Sequence, residues 1–197
     1  MKEKWNSRFA GEEYIYGTEP NEYFRQELVK LPRGRILLPA EGEGRNSVHA
    51  LREGWTVKAF DFSDEGRRKA MKLAAKHGVE LDYQIENWQT FSCRFCDFDV
   101  VGLFFFHLPT AQRRYFHEVI YDWLKPGGSV ISEFFSKKQL GKSSGGPQDP
   151  DLLYSVDELQ KDFEKFTIVQ LEELKTELNE GQGHKGESWV IRFHGIR

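Results

Sequence analysis

The chain has 197 residues, 39% hydrophobic and 14% aromatic, enough apolar surface to close a packed core and too much for a disordered tail. Its 28 basic residues stand against 31 acidic ones, a net charge of −3, so no basic excess points to nucleic acid as a partner. Two cysteines, Cys93 and Cys96, are too few for a disulfide framework, and no apolar run approaches the ~18 residues of a membrane span. Met1 to Trp5 lacks the apolar stretch of a signal peptide, so the expectation is a cytoplasmic protein that acts on a small molecule without nucleic acid or membrane. The residues carry no signal for oligomeric state.

In chain order, Trp5 to Tyr23 is an aromatic, Gly-containing stretch, and Pro20 opens a predicted helix through Leu31. Arg35 to Pro39 reads as a first strand, followed by a Gly-rich turn and a helix to about Glu53. Trp55 to Asp61 is a second strand. Ser63 caps the next helix, whose first turn holds Asp64 and Glu65 and whose apolar face is Ala70, Leu73, Ala74 and His77, with Gly78 as the stop. Leu81 to Ile85 and Asp99 to Phe106 are the third and fourth strands. Phe116, Val119, Ile120, Trp123 and Leu124 repeat at helical spacing before Lys125-Pro126-Gly127-Gly128 turns into a fifth strand, Ser129 to Phe135. Lys137 to Asp151 is loop, and Ser155 with Glu158 spells a capping box. Thr167 to Leu174 and Glu187 to Phe193 read as strands joined by a Gly-rich loop. Alternating strands and helices predict an α/β, doubly wound, mostly parallel sheet, and the two last strands, with no helix between them, an antiparallel edge pair.

The densest local signal is Leu38-Pro39-Ala40-Glu41-Gly42-Glu43-Gly44-Arg45-Asn46, a strand running through glycines into a helix. Such a turn lets backbone approach a ligand and offers unpaired N–H groups to its anionic end. Asp61 ends the second strand at about the ~20-residue offset where a carboxylate meets ribose hydroxyls. The third position of a dinucleotide fingerprint is Ser47, which counts against a nicotinamide cofactor and for a nucleoside with a short polar tail.

With these pieces in order, the sequence resembles the class I S-adenosylmethionine-dependent methyltransferases, and within them the tellurite-resistance and thiopurine methyltransferase-like group. The likeness rests on Trp5-Asn6-Ser7-Arg8-Phe9, Tyr16-Gly17-Thr18-Glu19-Pro20, Glu41 to Asn46, Asp61-Phe62-Ser63, Leu124 to Gly128, and Asn179-Glu180-Gly181 with His184 and Gly186. It implies a Rossmann-like, seven-stranded core over 35–197, covered by an aromatic strap and helix at 1–31, in one domain. It implies S-adenosyl-L-methionine as cofactor, with Glu41, Gly42, Gly44 and Arg45 around its methionine part. Asp61 would hold the ribose, Phe62 would flank the adenine, and Asn87 and Trp88 would sit at its edge. Leu38 stands where the family carries Asp or Glu, and Ala40 where it carries Gly; Glu41 is the candidate replacement for the missing carboxylate.

His107, Tyr16 and His184 are the candidate bases or substrate contacts. The acceptor is a small nucleophile such as a thiol, a selenium or tellurium oxyanion, or an amine. A cofactor-binding module without catalysis and a nicotinamide-dependent oxidoreductase are the alternatives. Tyr14 to Tyr16 and the loop Asn179 to Gly186 are expected to close over the substrate side. Arg67-Arg68-Lys69 and Lys137-Lys138 read as solvated faces, Arg113 or Arg114 as reaching an anionic substrate, and Cys93-Arg94-Phe95-Cys96 as chemically inert with no metal.

Overall fold

The computed structural model describes residues 2–197. Along the chain run α1 (Lys2–Phe9), α2 (Glu22–Leu28), β1 (Arg35–Pro39), α3 (Arg45–Arg52), β2 (Thr56–Asp61), α4 (Asp64–Lys76), β3 (Asp82–Ile85) and β4 (Phe98–Phe104). Then follow α5 (Thr110–Trp123), β5 (Leu124–Phe135), two 3-10 turns at Lys137–Gln139 and Pro150–Leu152, α6 (Val156–Asp162), β6 (Thr167–Glu180) and β7 (His184–Ile196). The strands form one seven-stranded sheet in the order β3-β2-β1-β4-β5-β7-β6. β1 to β5 are parallel, and β7 runs antiparallel to both β5 and β6. The α/β, Rossmann-like, mostly parallel sheet with an antiparallel edge pair is therefore as the sequence implied. Strand order reverses between β1 and β4, which opens a crevice at their carboxyl ends.

The central strands are buried on both faces, which is why they read as continuous apolar runs. On β1, Ile36 and Leu38 face a cluster with Phe24, Val48, Leu73 and Ile131, while Leu37 faces another with Val101, Phe116, Ile120 and Phe134. Ser63 caps α4 by accepting from Gly66 N–H, and Ser155 with Glu158 completes its capping box on α6. Among the described residues no helix is long and apolar enough to cross a membrane.

Several boundaries differ from the sequence reading, each for a physical reason. The aromatic stretch starts with a helix, α1, which docks on the start of α4 through Asn6 and buries Phe9. Asn21, not Pro20, starts α2, because its side chain accepts the N–H of Phe24. β4 ends at Phe104, since Phe105 takes φ +53°, so His107 lies in the following loop and not at the strand's end. β6 and β7 extend to 14 and 13 residues, so most of the expected Gly-rich loop is paired strand and only residues 181–183 turn. Their length comes from pairing with each other and with β5, which local alternation does not encode. His77 is exposed just past the last turn of α4 instead of on its buried face.

Candidate active site

Two carboxylates define one end of the crevice. Asp61, at the end of β2, accepts from the N–H of Gly42 (3.2 Å) and of Ser63 (2.8 Å). Glu41, in the turn after β1, accepts from the N–H of Ser47 in the first turn of α3 (2.7 Å). Burial pushes Glu41 up to about 7 and Asp61 to about 6, against the backbone hydrogen bonds that favour their ionised forms. Neither has an ion-pair partner among the described residues. Each carboxylate also keeps acceptor capacity beyond these bonds. These two acceptors fit a ligand with hydroxyls and positive charge, which is the chemistry of a ribose next to a sulfonium and an ammonium.

The turn itself is tight. Gly44 has φ +86°, and a side chain there would collide with Ala70 at 2.5 Å, so this glycine lets α3 and α4 close together as well as freeing the loop. Ala40 holds φ +52° where the resemblance expects Gly, a conformation that costs an L-residue roughly 1–2 kcal/mol. Leu38 is fully in the core, its methyl filling the space that a side chain at Gly102 would need. No carboxylate replaces it on β1; Glu41 is the nearest acidic group in sequence.

Glu43, next along the turn, points the other way. It is buried, accepts from the N–H groups of Ile15 (2.9 Å) and Tyr16 (3.3 Å), and pairs with Lys69 at 2.7 Å. Lys69 therefore belongs to no solvated face: it is 1% exposed and sits against the Tyr14 ring. This ion pair fastens the strap to the Gly-rich turn. The strap also meets the β6–β7 tip, where Gly183 N–H donates to the Ile15 carbonyl at 2.8 Å.

The other end of the crevice gathers distant residues. His184 Nδ1 lies 3.0 Å from Glu180 Oε2, which also takes Arg45 at 2.9 Å, and Asn21 donates to the other oxygen at 2.9 Å. The second hydrogen of the Asn21 amide goes to Glu133 at 2.7 Å, and Glu133 is paired with Arg192 at 2.7 Å. Burial works to raise Glu180, but Arg45 and His184 overcome it and hold the carboxyl at about 2. Burial lowers His184 despite the pull of Glu180, so the ring is neutral at pH 7 with its hydrogen on Nδ1. Tyr16 (4.5 Å), Phe105 (4.4 Å) and Phe135 (5.0 Å) surround the imidazole, and burial raises the Tyr16 phenol.

The other expected site residues have the following partners. Arg45 pairs with Glu180 and donates to the Tyr16 carbonyl. Phe62 is half-buried beside Asp61. Asn87 spends its side-chain oxygen on the N–H groups of Gln89 and Thr90, and Trp88 packs on Phe116 at 5.3 Å. Arg113 is a core residue paired with Asp162 at 2.7 Å, and Arg114 is exposed beside Glu118 and Glu164. Cys93 and Cys96 are half-buried free thiols, the second beside Arg197. Asn21, Glu133 and Arg192 were not singled out in the sequence, Glu43 was read only as part of the Gly-rich turn, and Lys69 only as part of a solvated face. Only Asn21 carried a local signal, as a capping residue ahead of an apolar run.

Residues 36–128 match the protein family described as a methyltransferase domain. No curated protein matches the chain by sequence. By structure it is similar to the protein of "Conversion of a Disulfide Bond into a Thioacetal Group during Echinomycin Biosynthesis" (TM-score 0.84, 16% identity, over 100% of this chain and 91% of that one). It is similar to a SAM-dependent methyltransferase of Methanosarcina mazei (TM-score 0.71, 16% identity, 91% of this chain and 98% of that one). It is also similar to TehB from Haemophilus influenzae (TM-score 0.73, 11% identity, 100% of this chain and 66% of that one). The fold is thus that of the S-adenosylmethionine-dependent methyltransferases. The matched segment, a little under half of the chain, carries its similarity to a methyltransferase domain, and the S-adenosylmethionine-dependent methyltransferases among the solved structures share its fold.

Proposed function

We propose that the protein is a cytoplasmic enzyme that methylates a small-molecule nucleophile held between the strap, the β6–β7 tip and the loop after β4. The observation that carries this reading is the Glu180–His184 pair. A carboxylate fixes Nδ1–H and leaves Nε2, which makes no hydrogen bond among the described residues, as a neutral base. Asp61 would accept the ribose hydroxyls, Glu41 would face the cationic amino-acid end, and Gly42 and Gly44 would let the backbone close on it. Phe62, with the 84–88 segment at its edge, would flank the base. When bound, the cofactor supplies an activated methyl for in-line transfer, a reaction that needs alignment and exclusion of water. Residues 1–31 supply that exclusion for the 35–197 core: the strap is pinned by Glu43 and Lys69, and Tyr16 and His184 form one wall. The tail Asn179 to Gly186 and the TehB likeness support kinship with the tellurite-resistance group.

The test pairs calorimetry with S-adenosylhomocysteine and NAD with a methyl-transfer assay on thiols, amines and oxyanions. Binding of S-adenosylhomocysteine and not NAD, with turnover of one acceptor class, is expected. Binding without turnover of any acceptor would return the protein to the class of regulatory modules.

A further inference from the structure

The loop after β4 contains a strained residue and the bonds that hold it in place. Phe105 takes φ +53°, a conformation in which an L-residue persists only where its surroundings fix it. Its N–H donates to the Glu133 carbonyl on β5 (2.9 Å), and His107 Nδ1 donates to the Leu152 carbonyl (2.9 Å). The Tyr154 hydroxyl spans the rest of the loop: it donates to the Phe106 carbonyl at 2.9 Å and accepts from the N–H of Leu108 at 3.4 Å. Tyr154 is itself well anchored. Its ring is buried and stacks on Phe134 at 4.3 Å and 11°, its N–H donates to the Phe135 carbonyl, and its carbonyl accepts from Lys137 N–H. Burial raises the phenol, so the hydroxyl keeps the hydrogen that it donates. A phenol both gives and takes a hydrogen bond, which is what bridging a carbonyl and an N–H two residues apart requires.

What this loop holds is the Phe105 ring, which meets the His184 imidazole at 4.4 Å and 66° and the Phe135 ring at 4.6 Å. The other two rings around the imidazole have their own supports. Phe135 stands on β5, paired with Val190 of β7, and Tyr16 stands on the strap that Glu43 fastens. Phe105 lies outside any strand, so its place against His184 rests on the bonds of its loop.

We infer that Tyr154, on the methyltransferase reading above, is a positioning residue for the transfer: its hydroxyl locks the loop after β4 and so holds Phe105 against His184, which fixes the direction of the base. Tyr154 acts through Phe105 and takes no part in the chemistry. Without the bridge, the left-handed turn at Phe105 can relax and carry its ring off the imidazole. Water then reaches His184, and the ring is free to turn about its bond to Glu180, so Nε2 loses its fixed aim.

Tyr154→Phe removes the bridge and keeps the ring on Phe134, and NMR titration of the His184 imidazole in the ligand-free protein reads the result. Burial sets the wild-type midpoint below the ordinary 6.5. The charged groups that act on the ring are Glu180 of β6, Arg45 of α3 and Arg8 of α1. Tyr16, Phe105, Phe135 and Gly145 fill its other sides without charge. Tyr154→Phe alters none of these charges, so lost burial should raise the midpoint by about half a unit or more. Phe105→Ala should raise it likewise, and the double variant should add nothing further, because both act through one contact. With the acceptor found in the screen, Tyr154→Phe should lower kcat ~10-fold while KM and S-adenosylhomocysteine affinity stay within ~2-fold. An unmoved midpoint in Tyr154→Phe, additive shifts in the double variant, or a loss confined to KM would each overturn the inference. If Tyr154→Phe does not fold, the wild-type protein decides it: hydrogen exchange should show the Leu108 amide protected, and a nuclear Overhauser effect should join the Phe105 and His184 rings. Absence of either would overturn it as well. A protein that binds no S-adenosylhomocysteine and turns over no acceptor would strike the methyltransferase reading, while the titration still decides whether Tyr154 governs His184.

Discussion

At the proposed cofactor end of the crevice, Glu41, Gly42, Gly44 and Asp61 come from two consecutive strand–turn–helix units, and their carboxylates are buried without an ion-pair partner. At the proposed acceptor end, Tyr16, Glu180 and His184 come from the start and the end of the chain, and the buried charges there are paired, Glu180 with Arg45 and Glu133 with Arg192. The first arrangement is electrostatically incomplete and leaves a cationic ligand to complete it. The second is finished within the protein, so it can hold a base and a reacting group in register before any ligand arrives. Affinity for the cofactor and rate of transfer are therefore expected to respond to different residues.

The largest expected effect lies at the acceptor end. Glu180→Gln or His184→Ala should lower the methyl-transfer rate by ~10²–10⁴-fold, the range for a lost general base, while calorimetry shows S-adenosylhomocysteine binding retained. Equal losses in rate and in cofactor affinity would erase the division between the two ends. Lys69→Met tests the fastening between them. Leaving Glu43 as an uncompensated buried charge should cost about 3–5 kcal/mol in urea denaturation, and adding Glu43→Gln should restore most of that. A loss near zero would mean that the strap does not depend on this pair.

Asp61→Ala should weaken S-adenosylhomocysteine by roughly 1.5–3 kcal/mol, the value of a hydrogen bond to a charged group, with a folded variant confirmed by melting. Unchanged affinity would refute the ribose assignment. The smallest effect is on pH dependence. The fold holds Glu41 at about 7 and Asp61 at about 6, above their ordinary 4.5 and 3.8. Folding thus favours the protonated carboxyls. That stabilisation is full below the ordinary values and is lost as pH rises through 6 to 7. The ligand-free protein should lose on the order of 1–3 kcal/mol of stability between pH 5 and 8, and Glu41→Gln should flatten the upper part of the fall. Added S-adenosylhomocysteine, whose ammonium favours ionised Glu41, should raise the melting temperature more at pH 8 than at pH 5.5. A flat profile in the wild type would show that these carboxylates are ionised in the empty site.

How much of this was legible beforehand follows the same division. The strand alternation, the caps at Ser63 and Ser155, the Gly-rich turn and Asp61 were readable because each is set by a few neighbouring residues with a fixed period or offset. The seven-stranded arrangement followed from the alternation together with the family resemblance. Lys69 was misread as solvated because a lysine on a polar helix face looks the same whether water or a buried glutamate waits for it. Arg45 looked like part of the turn, yet its partner is Glu180, which no spacing rule connects to it.

The sequence by itself determined the order of strands and helices, the turn that suits a nucleoside ligand, and the carboxylate that ends β2, since periodicity, capping and backbone freedom act over a few residues. Only the tertiary structure decided which side chains meet between the strap and the β6–β7 tip and how they pair. Those properties depend on burial, on the tautomer each partner imposes and on the pairing of every nearby charge. They arise only when the strap, the loop after β4 and the β6–β7 tip are brought together.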